Sequence, residues 1–246
     1  MARANKPPPK PSNPIATNPA VQSTVEREIK LAIDHNFRLP ALPGIPIPRR
    51  RLTSTYYDTS QYDLAHAGIT LRYRIERGKQ AWQLKLALMK DRQEVELVDR
   101  QSVPPTLFRD LLFLHLGQRK LMSVATLRVW RTGVRVRMDN VPVADVTIDH
   151  VSVMKDRAVL QRFRELEIEQ VNGKDSTLPD LEQQLRRAGA EDHDGRPKLV
   201  RALSLVAPGP GLPPASDAPV MDHVKWALAR HVRWLIAHDP GARLGR

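Results

Sequence analysis

Short runs in which apolar and polar residues alternate dominate the chain from Val25 onward. Successive side chains of a β-strand point to opposite faces, so these runs predict strands with one apolar and one polar face. Turn-prone residues such as Arg77-Gly78-Lys79 separate several of the runs. The predicted strands cover residues 25–33, 51–57, 69–76, 80–87, 92–98, 125–139, 143–153 and 162–171. Their close succession predicts an antiparallel meander.

Two segments with helical spacing interrupt the strands. Residues 104–117 begin with Pro-Pro-Thr and end at Gly117, and residues 176–190 combine polar start signals with Gly189 near the end. Helices that cover an antiparallel sheet are typical of the α+β class. The sequence therefore predicts an α+β fold.

The two ends of the chain differ in composition from this central region, which is expected to fold over residues 24–205. Residues 1–22 are rich in proline and asparagine and predict a disordered leader, and residues 206–219 predict a Pro/Gly-rich linker. Residues 220–246 have apolar positions at helical intervals. One helix cannot bury its apolar face alone, so we expect it to begin a further domain.

The polar faces of the predicted strands are charged rather than mixed. Glu26, Glu28 and Lys30 share one face of the first strand, and the last strand repeats the pattern with the glutamates of Glu165–Glu169. Carboxylates at alternate positions repel one another unless something neutralises them. A sheet with a solvated charged face explains any one strand, but a closed barrel with a charged lumen explains the whole series.

Such a lumen contains the parts of a site for a metal and a phosphate-rich anion. Converging carboxylates prefer a hard divalent cation such as Mg²⁺ or Mn²⁺. Guanidinium groups match phosphate oxygens in pairs, so basic strand residues would bind the other half of the ligand. These residues are Arg72, Arg74, Lys85, Arg92 and Arg128. The pattern predicts a tunnel that binds a metal–polyphosphate complex.

Composition narrows the function classes. The 246 residues carry a formal charge of +12, which favours an anionic partner. The absence of cysteine excludes disulfides, thiolate metal sites and a cysteine nucleophile. No apolar run approaches the length of a membrane span and no secretory signal is visible, so we expect a cytoplasmic protein with no membrane partner.

The ordered series of motifs resembles the CYTH superfamily, the triphosphate tunnel metalloenzymes. The resemblance begins with the E-x-E-x-K pattern of Glu26–Lys30 and covers roughly residues 24–205. The further matching elements are YYDT (56–59), LRYR (71–74), WQLKL (82–86), RQEVE (92–96), Arg128, Asp149, ELEIE (165–169) and RPKLVRAL (196–203). The linker and last helix resemble the junction to a CHAD domain, a helical module associated with polyphosphate.

The resemblance implies an eight-stranded antiparallel β-barrel with flanking helices and gives each matched residue a role. The residues implied to hold the triphosphate are Lys30, Arg72, Arg74, Lys85, Arg92, Arg128, Lys198 and Arg201. The residues implied to hold Mg²⁺ or Mn²⁺ are Glu26, Glu28, Glu167 and Glu169, with Asp149 near a second metal. Glu94 or Glu96 would orient the attacking water, with Lys85 as a further catalytic residue. Where the family often has Ser-Lys, this chain has Pro197-Lys198, which keeps the cation and loses a hydroxyl.

The activity expected from the resemblance is metal-dependent hydrolysis of inorganic triphosphate or a related triphosphate. An enzyme for an organic triphosphate, of the adenylate cyclase or thiamine triphosphatase type, would use the same phosphate end and stays open. A non-catalytic polyphosphate-binding module is a third possibility, although converging glutamates would repel a bare anion.

The remaining sequence features are expected to have structural roles rather than roles in the site. The basic cluster PRRR (48–51) suggests nucleic acid, but it is expected to be a solvated loop, and a duplex would not enter a small tunnel. Trp82 is expected to be a packing residue rather than a stacking platform. His66, His115, His193 and His223 lack metal-binding spacing and are expected at the surface or in packing.

Overall fold

The computed structural model describes residues 21–87, 92–172, 177–206 and 212–244. Its strands form one sheet in which all recorded pairings are antiparallel. The strands are β1 (Val21–Glu26), β2 (Glu28–Ala32), β3 (Gly44–Asp58), β4 (Thr70–Glu76), β5 (Lys79–Ala87), β6 (Arg92–Val98), β7 (Met122–Met138), β8 (Val141–Lys155), β9 (Ala158–Gln170) and β10 (Glu191–Asp192). Their order across the sheet is β1-β6-β5-β4-β3-β7-β8-β9-β2-β10.

The two sides of this sheet meet in one extended segment, residues 21–32. β1 pairs with β6, whereas β2, which follows after Arg27 alone, pairs with β9. The Arg27 carbonyl accepts a hydrogen bond from the Gln170 amide at 2.9 Å, so the ladder to β9 begins where β1 ends. With β1 and β2 counted as one interrupted strand, eight strands line the tunnel and β10 extends it. The predicted antiparallel tunnel with flanking helices is confirmed.

Six helices accompany the described strands. They are α1 (Asp63–His66), α2 (Thr106–Leu111), α3 (Phe113–Leu116), α4 (Thr177–Arg187), α5 (Lys198–Ala202) and α6 (Val220–Arg243). The predicted helix over 104–117 is divided at Leu112 into α2 and α3. Neither α1 nor α5 was predicted, because helices this short contain too few residues to establish a 3.6-residue period.

Two apolar cores lie outside the tunnel wall. The outer faces of β2, β8 and β9 bury Leu31, Ile148 and Leu166 against α4. The outer faces of β4, β5 and β6 bury Trp82 and Leu84 against α2 and α3. Trp82 is fully buried, in agreement with the expected packing role. The helices thus cover the apolar faces of the strands, which leaves the charged faces for the lumen.

A third core fills one part of the tunnel interior. Val129 and Phe163 lie on the inward faces of β7 and β9 and pack with Leu199 and Val200 of α5. Val129 and Leu199 also border the charged cavity. Helix α5 therefore plugs the tunnel and holds its first residue, Lys198, at the boundary between the apolar plug and the charged lumen.

The PRRR cluster is not the solvated loop expected from its composition. Residues 48–51 lie within β3, at a register shift between Ile47 and Arg50 in its pairing with β7. The shift accommodates Pro48, which has no amide hydrogen to donate to the ladder. Arg50 borders the lumen, whereas Arg49 and Arg51 are exposed.

The expected terminal segments lie partly outside the described residues. Of the leader predicted over 1–22, only Val21 and Gln22 are described, and they belong to β1. Within the predicted linker, residues 207–211 lie outside the description. The apolar stripe of α6 includes exposed Met221, Leu228 and Leu235. Among the described helices, none combines the length and apolarity needed to cross a bilayer.

We predict that Gly133→Ala destabilises the tunnel wall. A Cβ atom at Gly133 would lie 2.1 Å from the Val146 carbonyl oxygen on β8. Overpacking of this kind costs about 1–3 kcal/mol, measured as a lower free energy of unfolding in urea.

The matched control is Gly241→Ala in α6, where a Cβ would meet no atom within 4 Å. Alanine is the better helix former, so no loss is expected there. Equal stability of the two variants would contradict the close approach of β7 and β8.

Candidate active site

The tunnel encloses a cavity of about 270 Å³ that is lined mainly by charged side chains. The basic residues that line it are Lys30, Arg50, Arg72, Arg74, Lys85, Arg92, Arg131 and Lys198. The acidic residues that line it are Glu26, Glu28, Glu94, Asp145, Asp149, Glu167 and Glu169. Opposite charges therefore share one small enclosed space.

Most of the basic residues and most of the acidic residues that line the cavity come from different strands. The inward faces of β4, β5 and β6 carry Arg72, Arg74, Lys85 and Arg92, and these strands are adjacent in the sheet. On the other side of β7 in the strand order, β8, β9 and β2 carry most of the carboxylates, whereas Glu26 on β1 and Glu94 on β6 lie beside the basic residues. Because inward positions alternate with outward ones, each strand contributes a row of charges rather than a single residue.

Lys85 and Gln83 organise the basic side. The Lys85 ammonium lies 2.5 Å from Glu26 Oε2 and 2.9 Å from Glu94 Oε2. Gln83 accepts a hydrogen bond from Arg72 Nε at 2.8 Å and donates to Glu94 at 3.0 Å and to Glu96 at 2.7 Å. Gln83 thus fixes both an arginine and a carboxylate, although the sequence analysis did not select it.

Glu26 and Glu94 share Lys85 but have opposite pKa shifts. Burial raises the pKa of Glu26 to about 7, although Lys85 opposes the shift. Burial acts on Glu94 in the same direction, but Lys85 and Arg72 outweigh it and lower its pKa to about 2. At neutral pH Glu94 is therefore an ionised hydrogen-bond acceptor, and Glu26 is partly protonated.

The acidic side contains a second network around Lys198. Its ammonium lies 2.5 Å from Glu167, 3.0 Å from Glu165 and 3.1 Å from Asp149. Arg131 contacts Asp149 at 2.7 Å and Glu167 at 2.6 Å. Although burial acts to lower the pKa of Lys198, the three carboxylates raise it well above its usual value. Lys198 is therefore a permanent cation inside the lumen.

One row of carboxylates has less compensation. Glu28 pairs directly with Glu169 across β2 and β9, and Glu169 pairs with Asp145 across β8. Within the described ranges, no basic side chain lies at ion-pair distance from Glu169. Burial, and then the charges of Glu167 and Glu28, raise its pKa against the opposing effect of Lys85 and Arg131.

The chemistry of this row fits a hard divalent cation. It offers only carboxylate oxygens, which Mg²⁺ and Mn²⁺ prefer, and adjacent like charges that a cation would relieve. In the part of the chain that is described, no three acidic or histidine side chains converge as a formed metal site. Several of these carboxylates are instead paired with lysine or arginine; Arg135, for example, lies 2.7 Å from Asp145.

Three residues expected at the site lie elsewhere. Arg128 is exposed on the outer face of β7, because Val129 and Arg131 occupy the inward positions of that strand. The expectation that it lines the tunnel is wrong. Arg201 lies outside the charged lumen, with its guanidinium 4.4 Å from the centre of the Phe163 ring. Glu96 lies at a separate opening of about 230 Å³ beside Lys79.

The remaining expected residues line the lumen together. They are Glu26, Glu28, Lys30, Arg72, Arg74, Lys85, Arg92, Glu94, Asp149, Glu167, Glu169 and Lys198. The sequence analysis missed Arg50, Tyr56, Gln83, Arg131 and Asp145 as site residues. Of these, only Asp145 could have been predicted from the sequence, because it lies on the same face of β8 as Asp149. His193, expected in packing or at the surface, lies with its Nε2 3.7 Å from Glu165 Oε1.

Comparison with known families agrees with this geometry. The family model described as the CYTH domain matches residues 24–200, which is more than half of the chain. The protein belongs to the CYTH family. The matched region begins within β1, contains β2 to β10, and ends within α5, the helix that plugs the tunnel.

Relatives of this CYTH protein include two uncharacterized proteins of Mycobacterium tuberculosis, from strains CDC 1551 and H37Rv. Each is 27% identical over 254 residues, which cover 93% of this chain and 49% of the relative. The chain therefore spans about half the length of the curated relatives it matches.

The fold is shared with a solved structure. A proposed adenylate cyclase from Bacillus halodurans has a TM-score of 0.50 at 13% identity, covering 73% of this chain and 97% of its own. A protein from Pyrococcus horikoshii OT3 has a TM-score of 0.45 at 20% identity, covering 73% and 98%.

We predict that Glu165→Gln lowers the free energy of unfolding by about 3 kcal/mol near pH 7. Glu165 is fully buried, and Lys198 is the main charge that lowers its pKa to about 2 against the effect of burial. Because the folded pKa lies below the unfolded value, the stabilisation is complete above that unfolded value and disappears as pH falls through the folded one.

Denaturant unfolding near pH 7 and near pH 3 checks this prediction, with the gap between wild type and variant narrowing at the lower pH. Glu182→Gln on α4 is the control, since its contact with Arg186 is a surface pair worth about 0.5 kcal/mol. A gap that stays constant with pH would show that the carboxylate charge of Glu165 does not stabilise the fold.

Proposed function

We propose that this CYTH protein hydrolyses inorganic triphosphate with a divalent cation. The observation that carries the proposal is that one small lumen contains both a set of arginine and lysine side chains and a row of carboxylates with less compensation. A polyphosphate anion needs the first, and the cation that accompanies it needs the second. A site for a bare anion would gain nothing from the row Glu28, Glu169 and Asp145.

The basic residues bind and neutralise the phosphate chain. Arg72 and Arg74 extend inward from β4, and Arg92 extends inward from β6. Guanidinium groups donate paired hydrogen bonds to phosphate oxygens, and the negative charge on those oxygens spreads during phosphoryl transfer. Fixed cations in an enclosed space stabilise that charge without reorganising, which lowers the barrier.

Glu94 orients the attacking water in this proposal. Its low pKa makes it a weak proton acceptor, but Lys85 and Gln83 hold its carboxylate in place. The water donates a hydrogen bond to Glu94 and attacks the terminal phosphorus, while the bond from that phosphorus to the bridging oxygen breaks; pyrophosphate leaves, and the proton of the water passes to the phosphate oxygens of the products. Glu96 would act indirectly through Gln83, because it lies at the separate opening.

The carboxylate row would hold the divalent cation. Glu28, Glu169 and Asp145 are its first candidates, with Glu26 beside them on the same inward face. When bound, Mg²⁺ or Mn²⁺ supplies charge neutralisation at phosphate oxygens and lowers the pKa of water. Asp149 and Glu167 form ion pairs with Arg131 and Lys198, so their proposed role is to position those two basic side chains.

The cavity favours an inorganic over an organic triphosphate. Its volume of about 270 Å³ falls just below the roughly 300–1,000 Å³ typical of sites for drug-sized ligands. Tyr56 is the aromatic residue among the described lining residues, and its hydroxyl accepts a hydrogen bond from Arg72 at 3.2 Å. Trp82, the other aromatic considered from sequence, lies outside the lumen in a core.

The deciding assay measures phosphate release from triphosphate, ATP, thiamine triphosphate and pyrophosphate, with Mg²⁺, Mn²⁺ or EDTA. We expect release from triphosphate to exceed the others and to disappear in EDTA. Glu28→Gln should reduce the rate by at least roughly 100-fold, the scale of losing a group that stabilises transition-state charge.

Glu182→Gln on α4, outside the lumen, is the matched control and should retain the wild-type rate. Faster turnover of ATP or thiamine triphosphate would favour an organic-triphosphate enzyme. Tight triphosphate binding without release from any substrate would favour a non-catalytic polyphosphate-binding module. An active Glu28→Gln protein would contradict the proposed metal site.

Two variants, Arg131→Gln and Arg128→Gln, test which arginine of β7 faces the lumen. Loss of one charged hydrogen-bond donor at Arg131 should reduce kcat/KM for triphosphate about 10- to 100-fold. Arg128 lies on the outer face, so its substitution should leave kcat/KM unchanged. Circular dichroism verifies that both variants fold. The reverse order of effects would contradict the assignment of inward positions on β7.

A further inference from the structure

The outer surface of the tunnel wall has a cluster of arginines that is separate from the basic residues of the lumen. We call it the outer arginine face: its residues on the sheet are Arg49, Arg51, Arg128, Arg162 and Arg164, and Arg201 of α5 borders it at the edge of β9. An open depression of about 890 Å³ lies on this face, and none of its described lining residues is a carboxylate. The face is distinct from the charged cavity, whose lining includes none of the six arginines.

Sheet register assembles this face from four strands. Arg51 on β3 pairs with Trp130 on β7, Trp130 pairs with His150 on β8, and His150 pairs with Arg164 on β9. A parallel row two residues away joins Arg128, Ser152 and Arg162. With strands about 4.8 Å apart, the face spans about 14 Å from β3 to β9.

Three of these arginines are held in position mainly by neutral groups. The Arg49 guanidinium lies 4.3 Å from the centre of the Trp130 ring, and that of Arg201 stacks on Phe163. Arg164 donates to the Asp34 carbonyl at 2.6 Å and to the Phe37 carbonyl at 3.2 Å. Such partners order a side chain and leave its positive charge available, which reduces the entropy cost of binding an anion.

The charges on this face are largely uncompensated. Across the described residues, no carboxylate lies at ion-pair distance from Arg49, Arg51, Arg128 or Arg162, and all four are exposed. Arg201 lies 3.6 Å from Glu165, but that carboxylate is shared with Lys198. Adjacent like charges on a sheet repel, so a bound polyanion would relieve a repulsion that the fold otherwise retains.

We propose that the outer arginine face binds a linear inorganic polyphosphate chain, separately from the tunnel. Guanidinium groups match phosphate oxygens, and closely spaced phosphates match cations on adjacent strands. Single-stranded nucleic acid fits less well, since base stacking needs an open aromatic face and Arg49 already covers one face of half-buried Trp130. The site does not depend on the proposed hydrolysis in the lumen.

The test measures anisotropy of end-labelled long-chain polyphosphate, with excess unlabelled triphosphate to occupy the tunnel. The variant is Arg49→Gln, Arg51→Gln and Arg162→Gln combined, and we expect it to weaken binding about tenfold. The matched control is Arg77→Gln, Arg100→Gln and Arg109→Gln combined, which removes the same charge from exposed sites on other elements. It should change affinity by less than about twofold, because distant exposed charges are screened.

Equal weakening by both triple variants, or none by either, would overturn the proposal. A single-stranded RNA that binds wild type more tightly than polyphosphate, and loses affinity in the same variant, would replace the proposed occupant and also overturn it. Triphosphate hydrolysis is assayed in parallel. Its absence from wild type would refute the proposed lumen activity and leave the binding result to decide the outer face.

Discussion

Opposite charges that face each other across a small enclosed space are the interaction on which this structure depends. Burying either set alone would carry a large desolvation cost, because an isolated ion loses its hydration and gains nothing in return. Here Lys85 lies between Glu26 and Glu94, and Lys198 lies among Asp149, Glu165 and Glu167. Each lysine bridges carboxylates from different positions, so the lumen is a network rather than a set of independent pairs.

The network explains why apolar packing lies where it does. Since the inward faces carry charge, most of the stabilising apolar burial must come from the outer faces and their covering helices. The exception is the plug formed with α5, where Leu199 and Val200 meet inward apolar residues. Lys198 begins that same helix, so the apolar plug also positions a cation beneath the charged cavity.

The alternation of apolar and charged residues was enough to predict the strands, and on most of them it also identified the face that lines the lumen. On β2, β4 and β6 the charged residues share one parity, and on β9 the acidic residues do, so the inward face could be assigned from sequence. On β7, basic residues occur at both parities, with Arg128 on one and Arg131 on the other. Only the pairing with β8, which sets Arg131 opposite Asp149, decides between them.

The other features that the sequence analysis did not predict correctly have related physical explanations. Gln83 is neutral and looks like an ordinary strand residue, yet its amide can serve Arg72, Glu94 and Glu96 at once. The prolines near Arg49 indicated a loop, because proline usually ends a strand. A register shift against β7 allows β3 to continue through them.

The interrupted strand formed by β1 and β2 has a consequence for folding during synthesis. This segment is synthesised before the other strands of the wall, but its two halves pair with β6 and with β9, the last long strand of the wall. The second pairing, of Glu28 with Glu169, must wait until nearly all of the domain has been made. Because the closing contacts cannot form before β9 is made, the wall stays open during synthesis, and its unpaired edges are exposed to association until then.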